Sequence, residues 1–135
     1  MTTLYYVYNQ FYHNKGMMYD EGTGLVKLIT PSGDAAQKWA IETDGNAGGQ
    51  IAYKIRNIKE NRYLAAELNG PQVTVTTNQE TANNTKKWML PDRPPGANEF
   101  TTNIKSPVNG NLLASNGHFI VTDNNGQRWK FVIEN

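Results

Sequence analysis

Few groups in this chain could carry out chemistry, and their spacing argues against a reaction centre. His13 and His118 are the only imidazoles. They are far apart with no His-x-x-x-His spacing between them, so no zinc or copper site is expected. Cysteine is absent, which removes thiolate nucleophiles, disulfides and iron–sulfur ligation together. Ser32, Ser106 and Ser115 stand in turn-like contexts, none within a Gly-x-Ser-x-Gly elbow. The adjacent carboxylates Asp20 and Glu21 read as a solvated turn, and the glycines at 22 to 24 and 44 to 50 do not open a helix after a strand, as a phosphate cradle must. The expectation is a protein that is not an enzyme, with no catalytic residue, no metal and no cofactor. What remains is a set of Asn, Asp and Gly turns beside aromatic residues. A shallow sugar site uses such groups: an amide or carboxylate for vicinal hydroxyls and a ring for the C–H side of the pyranose.

Composition sets the frame that must hold such groups. The chain has 135 residues, 38% hydrophobic and 10% aromatic, enough for one domain spanning 1–135 with a core of its own. Thirteen basic and 12 acidic side chains leave a formal charge of +1, too little for phosphate-backbone binding, so no nucleic acid partner is expected. No stretch reaches the roughly 18 apolar residues of a bilayer span, and "MTTLYYVYNQ" lacks a basic region followed by an apolar one. A soluble, cytoplasmic protein without membrane partners is expected. The sequon Asn83-Asn84-Thr85 would matter only in a secreted chain.

The elements that position the polar turns are found from the tryptophans. Trp39, Trp88 and Trp129 stand 49 and 41 residues apart. Each follows a basic residue (Lys38, Lys87, Arg128) and precedes by two an apolar one (Ile41, Leu90, Phe131), so ring and apolar residue share one face of a strand. Gln37 and Gln127 lie two positions before the first and third, with Lys86 in the middle copy. A second register places "IRNIKENRYLAA" (55 to 66) over "IKSPVNGNLLAS" (104 to 115) without a gap. The first copy, 7 to 21, needs a small insertion before Met17-Met18 takes the Tyr63-Leu64 positions. Three units result, about 1–47, 48–97 and 98–135.

Each unit has β texture. Asn-Gly at 69/70, 109/110, 116/117 and 125/126 and Asp-Gly at 44/45 mark turns. Between them run "LVKLIT" (25 to 30), "QVTVTT" (72 to 77), "HFIVTD" (118 to 123) and "WKFVIE" (129 to 134), rich in β-branched and aromatic residues. No window sustains a helical period. Three units with room for four strands each predict an all-β protein of about twelve strands, closed by threefold symmetry rather than as a three-bladed propeller.

The Gln-x-Trp pieces at 37 to 39 and 127 to 129, with a degenerate one at 86 to 88, resemble the signature of the ricin-B-like β-trefoil lectins. The resemblance covers essentially the whole chain. It implies a β-trefoil of three pseudo-repeats of about four strands each, structural tryptophans and carbohydrate binding without catalysis. The opening "LYYVYNQFYHNKG", the lack of a signal and the lack of disulfides are similar to the fungal, cytoplasmic members found in mushrooms, which implies mannose as the sugar. In the family an acidic residue follows the strand represented here by "YLAA", an aromatic comes from the next hairpin, and an Asn precedes Gln-x-Trp. Carried over by position, the first unit offers Asp20, with Ala36 in the Asn position and no ring in "LVKLIT". The second offers Glu67, Asn69 and Asn83 or Asn84, with Val73 and Val75 instead of a ring. The third is best equipped: Asn116, His118 or Phe119, then Asp123 and Asn124 ahead of Gln127. No unit carries the whole family triad.

A second function class is a protein-binding trefoil, either a subunit held to an enzyme such as tyrosinase or a protease inhibitor. It is motivated by "LPDRPPGANEF" (90 to 100), where Pro94-Pro95 stiffen a loop presenting Arg93. The aromatic run Tyr5, Tyr6, Tyr8, Phe11, Tyr12 adds to it, since strand alternation would expose part of that run.

Overall fold

Residues 3–13, 15–66, 73–76, 86–107 and 110–134 are described in the computed structural model. Along β1 (Leu4–Asn9) every second residue, Tyr5, Val7 and Asn9, is buried, the period-two pattern of a strand with one face on a core. β2 (Lys15–Asp20), β3 (Leu25–Ile29) and β4 (Trp39–Ala47) complete the first set of four. β5 (Gln50–Asn57), β6 (Arg62–Ala66), β7 (Val73–Thr76) and β8 (Trp88–Met89) form the second. The third is β9 (Glu99–Thr102), β10 (Leu112–Ser115), β11 (Ile120–Asp123) and β12 (Trp129–Ile133). A 3-10 turn, Ala35–Gln37, interrupts the β structure of the first set, capped by the Asp34 carboxylate, which accepts from Ala36 N at 2.8 Å.

First and fourth strands of the three sets make a barrel wall. β1 pairs antiparallel with β12 and β4, β4 with β5, β5 with β8, and β12 with β9. The ring closes where Met89 and Lys105 exchange backbone hydrogen bonds of 2.8 and 3.0 Å. Second and third strands form the hairpins β2–β3, β6–β7 and β10–β11. Each hairpin meets the wall at a similar place: Tyr8 opposite Gly16, Arg56 opposite Tyr63, Lys105 opposite Leu112. The architecture is a β-trefoil.

The threefold relation is sharpest at the indoles. Trp39, Trp88 and Trp129 are each fully buried, and each donates its Nε1–H to a second-strand carbonyl of its own set. The acceptors are Met17 O at 3.1 Å, Leu64 O at 2.8 Å and Leu113 O at 3.1 Å. Burial of one indole removes roughly 150–250 Å² from water, at most about 4–6 kcal/mol, and the hydrogen bond satisfies the one polar group on the ring. Around them Val7, Ile55 and Ile104 form one equivalent layer of buried side chains. Phe100 and Phe131 stack beneath, centroids 4.7 Å apart, with Tyr5 edge-on to both.

Two expectations are corrected. The shared acceptor role pairs Met17, not Met18, with Leu64 and Leu113; Met17 is fully buried whereas Met18 is half-buried. Asp20, Glu67 and Asn116 therefore each stand three residues after the indole acceptor. Asp44-Gly45 is a bulge rather than a turn: Gly45 has φ +70° where the β4–β5 register shifts between Thr43 and Asn46, and the reversal falls at Gly48-Gly49. At Gly126 a side chain is excluded twice, by φ +65° and by Leu112, whose Cβ an added methyl would overlap.

Replacing one indole should undo its whole module. Trp88→Ala is expected to lower stability by about 3–5 kcal/mol, read as a shifted urea midpoint with an unchanged slope; a loss below about 1 kcal/mol would contradict the shared-core role.

Candidate functional site

Three side chains join the first and third units at the hairpin end of the barrel. Asn9, at the end of β1, accepts through Oδ1 from Phe11 N at 2.8 Å and Tyr12 N at 2.7 Å, which folds the β1–β2 connection back on itself. Its Nδ2 donates to Gln127 Oε1 at 2.7 Å. The same Oε1 accepts from Ser115 N at 2.9 Å, while Gln127 Nε2 donates to Ser115 O at 3.2 Å. Ser115 in turn fixes the β10–β11 tip: its Oγ donates to Phe119 O at 2.8 Å and accepts from Gly117 N at 3.0 Å. With Asn9 and Ser115 both buried, the two turns are locked to one another by satisfied polar groups.

The lock brings an aromatic platform onto the hairpin tip. The Tyr12 ring lies over Gly117, within 3.1 to 3.5 Å of where a Cβ would stand, and φ of +97° also demands glycine there. Phe11 stands edge-on to Tyr12 with centroids 4.9 Å apart, and is 67% exposed. On the tip itself Asn116 Oδ1 accepts from His118 N and Phe119 N, both at 3.0 Å, and the His118 and Phe119 rings meet edge-on at 4.4 Å. Asn116 and His118 are exposed, Phe119 half-buried. The Asn9–His13 turn also borders a cleft of about 330 Å³ lined by Tyr8, Gln10, His13, Pro31 and Lys130 among others. Tyr8 stacks on Tyr6 at 6.1 Å, and burial, then the neighbouring Tyr6, push its phenol above the usual range, so it keeps its proton as a hydrogen-bond donor.

The residues expected from sequence divide into groups. Asn116, His118 and Phe119 share the tip. Asp123 opposes Leu112 at the base of the same hairpin, three register steps from the Ser115–Ile120 pair, roughly 10 Å along the strand. There Asp123 Oδ1 accepts from Gly126 N, and Asn124 is exposed beside it. Asp20 is tied into its own turn: its carboxylate accepts from Gly22 N at 3.1 Å and Thr23 Oγ1 at 3.0 Å and pairs with Lys27 Nζ at 3.2 Å. The Lys27 ammonium foremost, then the Thr23 hydroxyl, hold its carboxyl below the usual range. Lys27 pairs through its backbone with Phe119, which sets the first hairpin beside the third. Glu67, Asn69, Asn83 and Asn84 lie outside the described residues.

Sequence reasoning placed Phe11 and Tyr12 in an aromatic run suited to a partner, not in a sugar site. The signal it lacked was the Asn9–Gln127 contact across 118 residues. Arg93, in the loop expected to contact a protease, is half-buried, its guanidinium packed over the Tyr53 and Phe100 rings, 5.3 and 5.0 Å from their centroids. Among the described residues no helix is long and apolar enough to cross a membrane, and no group of three His, Asp or Glu could hold a metal ion.

No protein-family model and no curated protein sequence matches the chain. Solved structures do. It is similar to the designed 3-fold symmetric protein ThreeFoil, with 17% identity over 96% of this chain and 97% of that one, TM-score 0.73. It is also similar to the Polyporus squamosus lectin bound to a human-type influenza-binding epitope, with 20% identity, TM-score 0.75, and 96% of this chain covering 48% of that one. SeviL bound to asialo-GM1 saccharide matches at 20% identity over 99% and 98% of the two chains, TM-score 0.71. The chain thus spans about half the length of the Polyporus protein. Likeness at these identities establishes the fold.

Gln127→Ala should leave Ser115 N and Asn9 Nδ2 without their acceptor and cost about 1–3 kcal/mol, with the largest amide shifts at 11 to 12 and 115 to 119 in NMR spectra. The Asp20 contribution to stability is present above the unfolded carboxyl pKa of about 4 and is lost as pH falls through the lower folded value. Lys27→Met should move the Asp20 titration up toward the ordinary range, as followed by carboxyl NMR.

Proposed function

We propose that this protein is a non-enzymatic, lectin-like carbohydrate-binding protein that holds a glycan on the surface formed by the Asn9–His13 and Asn116–Phe119 turns. One observation carries the reading: a Phe11 ring left 67% exposed stands edge-on to Tyr12, whose own ring lies over Gly117, between the exposed Asn116 and His118. An exposed ring held rigid in that way offers a face to the C–H side of a pyranose, and the polar groups beside it suit hydroxyls. The glycan-bound Polyporus lectin and SeviL, which share the fold, support this choice.

Mannose is the first sugar to test, on the resemblance of the opening segment and the cysteine-free chain to the cytoplasmic lectins of mushrooms. That resemblance extends to the lectin-like light subunit of mushroom tyrosinase, which keeps a subunit held to an enzyme as the second reading. Its aromatic run gives little support: Tyr5 is buried, Tyr6, Tyr8 and Tyr12 are half-buried, and among the described residues Phe11 and Ile51 are the exposed large hydrophobics.

A mannan pull-down and a glycan array should retain the protein. Phe11→Ala and Tyr12→Ala should each weaken binding by about threefold to tenfold, the effect of losing an aromatic contact of about 0.5–1.5 kcal/mol, whereas Asp20→Asn should leave it unchanged. A blank array at millimolar ligand would remove the proposal.

A further inference from the structure

A second cleft lies at the start of β5, the end of that strand away from the β6–β7 hairpin. It has a volume of about 280 Å³ and is lined by Gln50, Ile51, Tyr53, Leu90, Pro91 and Arg93. Arg93 is held there by a stiff loop: its own N–H donates to Leu90 O at 3.1 Å, Asp92 N donates to Thr102 Oγ1 at 3.0 Å, and Ala97 N closes on Pro94 O at 3.1 Å. The Tyr53 and Phe100 rings pack against the guanidinium, so what it can still offer is its in-plane N–H edge.

The protein leaves that edge unpaired: Arg93 Nε is buried with no hydrogen-bond partner, and no carboxylate pairs with this guanidinium among the described residues, so a two-oxygen ligand in the cleft would be met by the two terminal nitrogens. The acids nearest in sequence are engaged elsewhere, Asp92 with Arg128 and Glu99 with Lys130 at 3.2 Å. A cation oriented by its neighbours, lacking a protein acid and opening on a cleft is suited to a planar, two-oxygen anion. The rest of the lining narrows the class. Ile51, 55% exposed at this cleft, forms with Leu90 and Tyr53 an apolar wall for a ring's C–H face, and Gln50 supplies an amide for hydroxyls. The volume suits one ring-sized residue.

The geometry points to a second glycan subsite, selective for a sugar acid, in which Arg93 binds the carboxylate of a uronate residue. Its sugar component rests on the carbohydrate reading above, but its location and its charge requirement are separate. The test is titration of the full chain with glucuronate, and with glucose as the neutral control, followed by NMR. Glucuronate should give saturable shifts at Gln50, Ile51 and Tyr53 and glucose none. Arg93→Lys, which keeps the charge but loses the two-point fork, should weaken binding about tenfold or more, and Arg93→Gln should abolish it. Unchanged resonances of the three indole N–H groups report that each variant is folded. Absence of glucuronate shifts, equal shifts with glucose, or full binding by folded Arg93→Gln would overturn the subsite. Mannan binding with no glucuronate response would sink this inference alone, and glucuronate binding that depends on Arg93, with a blank neutral array, would sink only the hairpin-tip reading.

Discussion

Each hairpin of this trefoil is fastened to the barrel by a buried indole whose N–H reaches a carbonyl on the second strand of the same unit. A large apolar ring supplies the burial and one directed bond supplies the orientation. Because the carbonyl belongs to the backbone, the surrounding side chains are free to diverge while the attachment stays. Lys86 can stand where Gln37 and Gln127 stand, and Met17 can replace leucine. The polar surface above the barrel is built on that fixed frame.

Fastening alone does not orient the turns, and here the units differ. In the third unit Gln127 reaches across to Asn9 of the first and so sets two turns against one another. Gln37 spends the same amide inside its own unit, on Ser32 N and Thr30 O, and Asn57 bonds Ala36 O instead. The pseudo-symmetry of the core therefore does not extend to the surface. One tip receives an aromatic platform from its neighbour, while the first unit's acid is neutralised by Lys27.

Much of the fold was legible because tryptophan is rare and bulky: three copies with an apolar residue two positions on fix strand, face and repeat at once. The register of the first unit slipped by one because Met17 and Met18 are equally apolar, and only the indole bond distinguishes them. Asp44-Gly45 was misplaced because positive φ serves a bulge as well as a turn. The candidate site was legible in part. Asn116, His118 and Phe119 are local to one hairpin, and positional matching found them. Phe11 and Tyr12 arrive from the far end of the chain through Asn9, a pairing that no local pattern announces. Arg93 in its loop was visible, but its burial against Tyr53 and Phe100 depends on strands that sequence spacing cannot bring together.

The barrel wall is uneven around its circumference. Between the first and third units β1 and β12 pair over five residues, whereas β8 has only two and the second unit meets the third through the reciprocal Met89–Lys105 pair. Backbone protection scales with such pairing, so this junction is the seam along which the cylinder would breathe first. Sequence change, strand exchange with another copy or a new chain break would be tolerated or resisted according to distance from that seam.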